Sequence, residues 1–103
     1  MKGESIYAAS KAGVEAFSRS FAREMADFNV RVNCIAPSLT NSKIAEPMLK
    51  NKALADGIAK AHPLKRLGEG KDSAALAKFL LTEDSSWVTG QIIAVDGGRS
   101  KLS

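Results

Sequence analysis

A single cysteine, Cys34, is all the sequence offers for redox chemistry, so no disulfide can form within the chain. The stretch Met1-Lys2-Gly3-Glu4 has no apolar signal-peptide core, and a cytoplasmic setting is the expectation. Apolar runs fall well short of the ~20 residues needed to span a bilayer, which argues against a membrane segment. Like charges never run to about five or six together, and no basic stretch is interleaved with aromatics. The net charge of +4 is therefore scattered among acids and favours solubility, and no nucleic-acid partner is expected. His62 is the one histidine, with no ligand set around it in the sequence, so no metal is expected. Repeats, low-complexity tracts and linkers are also absent.

What is present is ordinary globular sequence. The 103 residues allow one small domain, and 45% hydrophobic with 25% charged residues is usual for a soluble fold. A chain of this size buries a core but leaves a large share of its surface in water. A helix is expected from about Ser5 to Phe28. Val14, Phe17, Phe21, Met25 and Phe28 recur at helical steps as one apolar stripe. Arg19, Arg23 and Asp27 follow another line, and Ala9, Gly13, Ala16 and Ser20 form a face of small side chains. Ser5 suits the N-cap, and Asn29 the left-handed position beyond the helix end.

A strand is expected over Val30–Ala36, stopped by Pro37, with Cys34 a buried, inert thiol. A polar loop then leads to a weak helix from Met48 to Ala61, with a break expected at Gly57. His62-Pro63 ends it. A further helix spans about Lys71 to Thr82, with Leu76, Phe79 and Leu80 inward. Trp87 is expected to anchor the following turn, and Gln91–Val95 is a buried strand closed by Asp96-Gly97-Gly98. The order helix, strand, helical crossover, strand predicts an α/β unit with parallel, adjacent strands. Two strands make a poor sheet, so the free edge of the first should want a neighbour.

Tyr7 and Lys11 carry the chemistry. Four residues apart on a helix, they share one face. A free tyrosine hydroxyl ionises near pH ~10 and is a poor base at neutrality; a neighbouring ammonium favours the phenolate. The first turn of a helix acts in the same direction. Such a tyrosine suits proton exchange with an alcohol or carbonyl oxygen. Taken alone, the pair is a weak signal, because an aromatic at a helix start followed by a solvated lysine is common.

The wider context is specific. Tyr7-Ala8-Ala9-Ser10-Lys11-Ala12-Gly13-Val14 resembles the catalytic helix of short-chain dehydrogenases/reductases. Val30-Arg31-Val32-Asn33-Cys34-Ile35-Ala36-Pro37 is similar to the strand that follows it there, and Thr89-Gly90-Gln91-Ile92-Ile93-Ala94-Val95-Asp96-Gly97-Gly98 to the family's last strand and its ending. Pro63, Arg66, Gly68 and Asp72 fall between them in the family's order. The resemblance implies the C-terminal part of a Rossmann-like doubly wound parallel sheet, and NAD- or NADP-dependent interconversion of an alcohol and a carbonyl. It makes Tyr7 the general acid/base and Lys11 the residue that tunes it and holds the nicotinamide ribose. Pro37, Thr40 and Ser42 fall on the stretch that touches the nicotinamide carboxamide. The family usually has glycine where Ser38 stands and threonine where Ser42 stands. Ile44 to Leu67 matches its variable substrate lid.

The departure is in what these residues omit. They contain no strand followed by Gly-x-x-x-Gly-x-Gly, and neither the family's catalytic serine nor its assisting asparagine, which lie upstream of the tyrosine. Asn33 sits on the wrong element for that role and is expected to satisfy backbone. The expectation is a partial domain over residues 1–103, without the N-terminal dinucleotide-binding half. It would bind the cofactor weakly or not at all and be inactive alone. A self-associating or partner-binding domain, or one chain of a split enzyme completed by an N-terminal half in trans, remain open. The phenylalanine stripe and the free strand edge predict a homo-oligomer.

Overall fold

The computed structural model describes residues 3–38, 40–41 and 46–102. Helix α1 (Glu4–Ala26) leads to strand β1 (Cys34–Pro37) and the short β2 (Thr40–Asn41). Helices α2 (Glu46–Leu49) and α3 (Lys52–Ala61) precede β3 (Gly68–Glu69) and α4 (Gly70–Leu80). A 3-10 turn (Glu83–Ser85), strand β4 (Ile92–Val95) and a final turn of helix, α5 (Arg99–Leu102), complete the order. The architecture is α/β. β1 and β4 pair in parallel from Cys34↔Ile92 to Pro37↔Val95, as the crossover logic predicts. β2 and β3 form a second parallel pair, Thr40↔Gly68 and Asn41↔Glu69.

Several boundaries differ from expectation, each for a physical reason. Gly3, at φ 88°, takes the N-cap of α1, so the helix starts one residue early and Ser5 lies inside it. Asn29 is left-handed as expected, with φ 57°. The strand starts at Cys34, not Val30, because side chains replace ladder bonds before it. Thr89 Oγ1 accepts from the Val32 N–H at 3.1 Å, and Asn33 Oδ1 from the Gln91 N–H at 3.1 Å. Pro37 still pairs, as the last residue of β1. The helical break falls at Lys50-Asn51, where Asn51 Oδ1 caps α3 by accepting from the Leu54 N–H at 3.2 Å. Gly57 stays helical.

The core is slight. Among the described residues Ala22 is the only fully buried apolar side chain. The radius of gyration is 15.8 Å, where a closed domain of this length would have about 13 Å. The side of α1 that is covered runs through Glu15, Ser18, Ala22 and Met25. Ala22 Cβ lies only 3.8 Å from where a side chain at Gly90 would begin. The phenylalanine stripe is outside: Phe17 is 66% and Phe28 72% exposed, and the Phe17 and Phe21 rings stack at 5.4 Å. On α4 the covered line is Ser73, Leu76, Ala77 and Leu80, spaced as one helical face. Phe79, expected inward, falls off that line and is exposed. Cys34 is half-buried rather than buried.

Trp87 does not anchor its turn; it is 98% exposed. Arg31 does that work instead. Its guanidinium donates to Ser85 Oγ (2.9 Å) and to the carbonyls of Leu80 (3.0 Å), Thr82 (3.2 Å) and Val88 (3.2 Å). Ser85 is fully buried and donates to the Thr82 carbonyl at 3.1 Å. Once polar bonds fix the turn from inside, the indole is left on the surface. Asn33 satisfies backbone, as expected: its amide donates to the Val88 carbonyl at 3.0 Å. No described helix is long and apolar enough to cross a membrane.

Candidate active site

Tyr7 and Lys11 stand one turn apart in the first half of α1, and the Tyr7 N–H donates to the Gly3 carbonyl at 2.9 Å. Both open on one cavity of about 850 Å³. Ala36, Pro37 and Ser38 line it from the end of β1, and Ala94 and Asp96 from the end of β4. This is the carboxyl end of the parallel pair, where open α/β sheets bind ligands. Tyr7 itself is 71% exposed. A second hollow of about 310 Å³ lies between α1 and β1, again with Tyr7, Lys11 and Pro37 in its wall.

Of the other expected site residues, Thr40 contributes its backbone to β2, opposite Gly68. Ser42 lies outside the described residues. The structure therefore brings Tyr7, Lys11 and Pro37 together. It adds residues that motif reading did not assign: Arg99, Ser100 and Lys101 of α5 line the same cavity. Nothing in their sequence marks them, because only the turn after β4 aims them there.

That turn is built by Asp96. Its carboxylate accepts from the Gly98 N–H and the Ser100 N–H, each at 3.0 Å. The Ser100 hydroxyl foremost, with these backbone donors, holds the Asp96 carboxyl below its usual range. Gly97 (φ 60°) and Gly98 (φ 88°) take left-handed conformations. A side chain at Gly98 would start 3.0 Å from Leu102 Cδ1, so the turn admits little but glycine. The Asp-Gly-Gly ending is thus a strand-closing turn, and no cluster of metal-ligating side chains occurs among the described residues.

A neighbouring cavity of about 430 Å³ is lined by Ser38, His62, Arg66, Asp72 and Asp96, among others. Arg66 grips Asp72 with both nitrogens, at 2.9 and 3.0 Å, and the Glu69 N–H donates to the same carboxylate at 2.8 Å. The Arg66 hydrogen bond above all lowers the Asp72 pKa to about 2. The fork fixes the loop that enters α4.

Comparison with known proteins bears on the family. Residues 1–100 match the family described as enoyl-(acyl carrier protein) reductase. The chain is 40% identical over 98 residues to the 3-oxoacyl-(acyl-carrier-protein) reductase of Chlamydia trachomatis, covering 95% of this chain and 39% of that protein. It is 38% identical over 94 residues to a tropinone reductase homolog of Arabidopsis thaliana, covering 91% of this chain and 36% of that one. Among solved structures, a short-chain type dehydrogenase/reductase from Mycobacterium ulcerans superposes with a TM-score of 0.84 at 38% identity, over 90% of this chain and 34% of that chain. A 4-hydroxyisoleucine dehydrogenase complexed with NADH gives 0.87 at 29% identity, over 91% and 39%. The chain thus spans well under half the length of these relatives. It belongs to the short-chain dehydrogenase/reductase family.

Proposed function

We propose that this chain is part of an NAD(P)-dependent oxidoreductase interconverting an alcohol and a carbonyl, with Tyr7 as the proton donor and acceptor. The observation that carries the reading is the shared cavity: Tyr7 and Lys11 face Pro37 and Ser38 at the carboxyl end of β1. The walls fit a nicotinamide and its ribose on this side. Lys11 would hold the ribose hydroxyls, and the segment from Pro37 through Thr40 to Ser42 the carboxamide. A bound dinucleotide would supply or accept the hydride. The chain's own part is the proton. In reduction the Tyr7 hydroxyl gives it to the carbonyl oxygen; in oxidation the phenolate takes it from the alcohol. Lys11 stands one turn further along the same helix and lines the same cavity.

These 103 residues hold neither a glycine-rich phosphate turn nor a match to the family's catalytic serine, so we propose that the chain alone does not turn over. The exposed Phe17 and Phe28 favour a second role, self-association, and an N-terminal half in trans would complete the site in a split enzyme. A chimera decides the catalytic reading: this chain replaces the matching region of the Chlamydia trachomatis relative. NADH and NADPH oxidation is followed against a panel of ketones. Turnover that Tyr7→Phe lowers by about 10²–10⁴-fold is expected. A folded chimera whose rate ignores Tyr7→Phe overturns it. The unfused chain is expected to show no rate, and turnover abolished by Tyr7→Phe in that chain would overturn its proposed inactivity.

A further inference from the structure

We infer that His62 is a positioning residue: it holds Ser38, and through Ser38 the segment leaving β1 at the mouth of the catalytic cavity. The consequence for cofactor binding rests on the reading above; the latch itself does not. His62 is the most buried titratable group described, at 1% exposure, and the proton-transfer chemistry makes no use of it. Its ring bridges elements distant in sequence. Nδ1 is 2.8 Å from the Ile58 carbonyl in α3, and Nε2 is 2.8 Å from Ser38 Oγ, 24 residues away. The end of β4 closes on the same point. A side chain at Gly97 would begin 3.6 Å from His62 Cβ, and the Leu64 N–H donates to the Gly97 carbonyl at 3.1 Å.

The hydrogen-bond roles follow from chemistry. A carbonyl oxygen only accepts, so Nδ1 carries the proton. In the neutral imidazole Nε2 is then the acceptor, and the Ser38 hydroxyl donates to it. Ser38 is tethered twice, because its N–H also donates to the Val95 carbonyl at 3.2 Å. With its proton turned toward His62, Ser38 Oγ has only lone pairs left for a ligand, and suits a donor such as a carboxamide N–H. Ser38 lines both cavities, so the latch ties the wall of the Tyr7 cavity to the end of α3. Glycine at position 38 has no hydroxyl for this bond.

Two substitutions separate the halves of the ring. Asparagine at position 62 keeps a polar atom near the Nδ1 position and loses the Ser38 bond; glutamine keeps one near Nε2. The test is amide exchange at Ser38 by NMR in the whole chain, together with ¹⁵N shifts of the His62 ring. His62→Asn and Ser38→Ala are expected to speed exchange of the amide at position 38 about tenfold, the size of one lost hydrogen bond, with α4 amides unchanged. His62→Gln is expected to retain most of the protection. A proton on Nε2 rather than Nδ1 in the neutral ring, or unchanged exchange in Ser38→Ala, overturns the latch. Titration of the chimera with nicotinamide mononucleotide then addresses the cofactor consequence separately. Weaker binding in Ser38→Ala than in the unaltered sequence is expected. Equal affinity of the Ser38→Ala and unaltered sequences, both measured in the chimera, with the exchange result intact, defeats the cofactor consequence and leaves the latch standing.

Discussion

Replacing Arg31 by alanine should destabilise the chain by about 3 kcal/mol. Its guanidinium makes four hydrogen bonds, of which those to Ser85, Val88 and Leu80 are partly buried and the one to Thr82 is exposed. At about 1 kcal/mol for each partly buried bond, and nothing for the exposed one, the loss is about 3 kcal/mol. Without the guanidinium the Ser85 hydroxyl keeps its bond to the Thr82 carbonyl and the Val88 carbonyl its bond from the Asn33 amide, while the bonds across from Arg31 are lost. The loss is a large part of the roughly 5–15 kcal/mol that holds a domain folded, and here the apolar core is slight. Arg31→Lys separates charge from geometry. An ammonium is a point donor and cannot fork to four acceptors, so about half of the loss should remain. Urea unfolding followed by circular dichroism measures both variants, with the slope m unchanged if only stability moves. A loss below about 0.5 kcal/mol for alanine, or equal stability of lysine and arginine, would refute the clamp.

Three further outcomes are expected. Isothermal titration of the chain with NAD or NADP should give a Kd near or above ~1 mM, since on the proposed reading its residues would touch only the nicotinamide end; micromolar affinity contradicts this. Sedimentation at micromolar concentration should find a dimer or larger, driven by burial of phenylalanines worth ~1.5–3 kcal/mol each, and Phe17→Ser with Phe28→Ser should dissociate it; a folded 10.9 kDa species in the unaltered chain ends the idea. Asp72 should titrate near its lowered pKa of about 2 in a carboxyl NMR experiment, and Arg66→Gln should return it toward 3.8. Because the folded value lies below the unfolded one, the stabilisation by ionised Asp72 is complete above about pH 4 and fades as pH falls through about 2. A midpoint near 3.8 in the unaltered chain excludes the fork in solution.

Local chemistry determined much of this protein without help from the fold. The Tyr7/Lys11 spacing on a helix, the left-handed Asn29, the helix stop at Ala61 and the parallel pairing of two strands all follow from period and backbone preference, which act over a few residues. Tertiary structure decided what depends on distant partners. Strand β1 starts at Cys34 because Thr89 and Asn33 bond across to the other segment. Trp87 is outside because Arg31, more than fifty residues away, fixes its turn. The phenylalanine stripe has the period of a core face, yet α1 is covered along Ser18 and Ala22, since small side chains let a helix approach closely at Gly90. Periodicity can name an apolar face; it cannot say whether this chain or another surface covers it. Likewise Ser38 and His62 are unremarkable apart, and only the meeting of β1, α3 and β4 sets them 2.8 Å from each other.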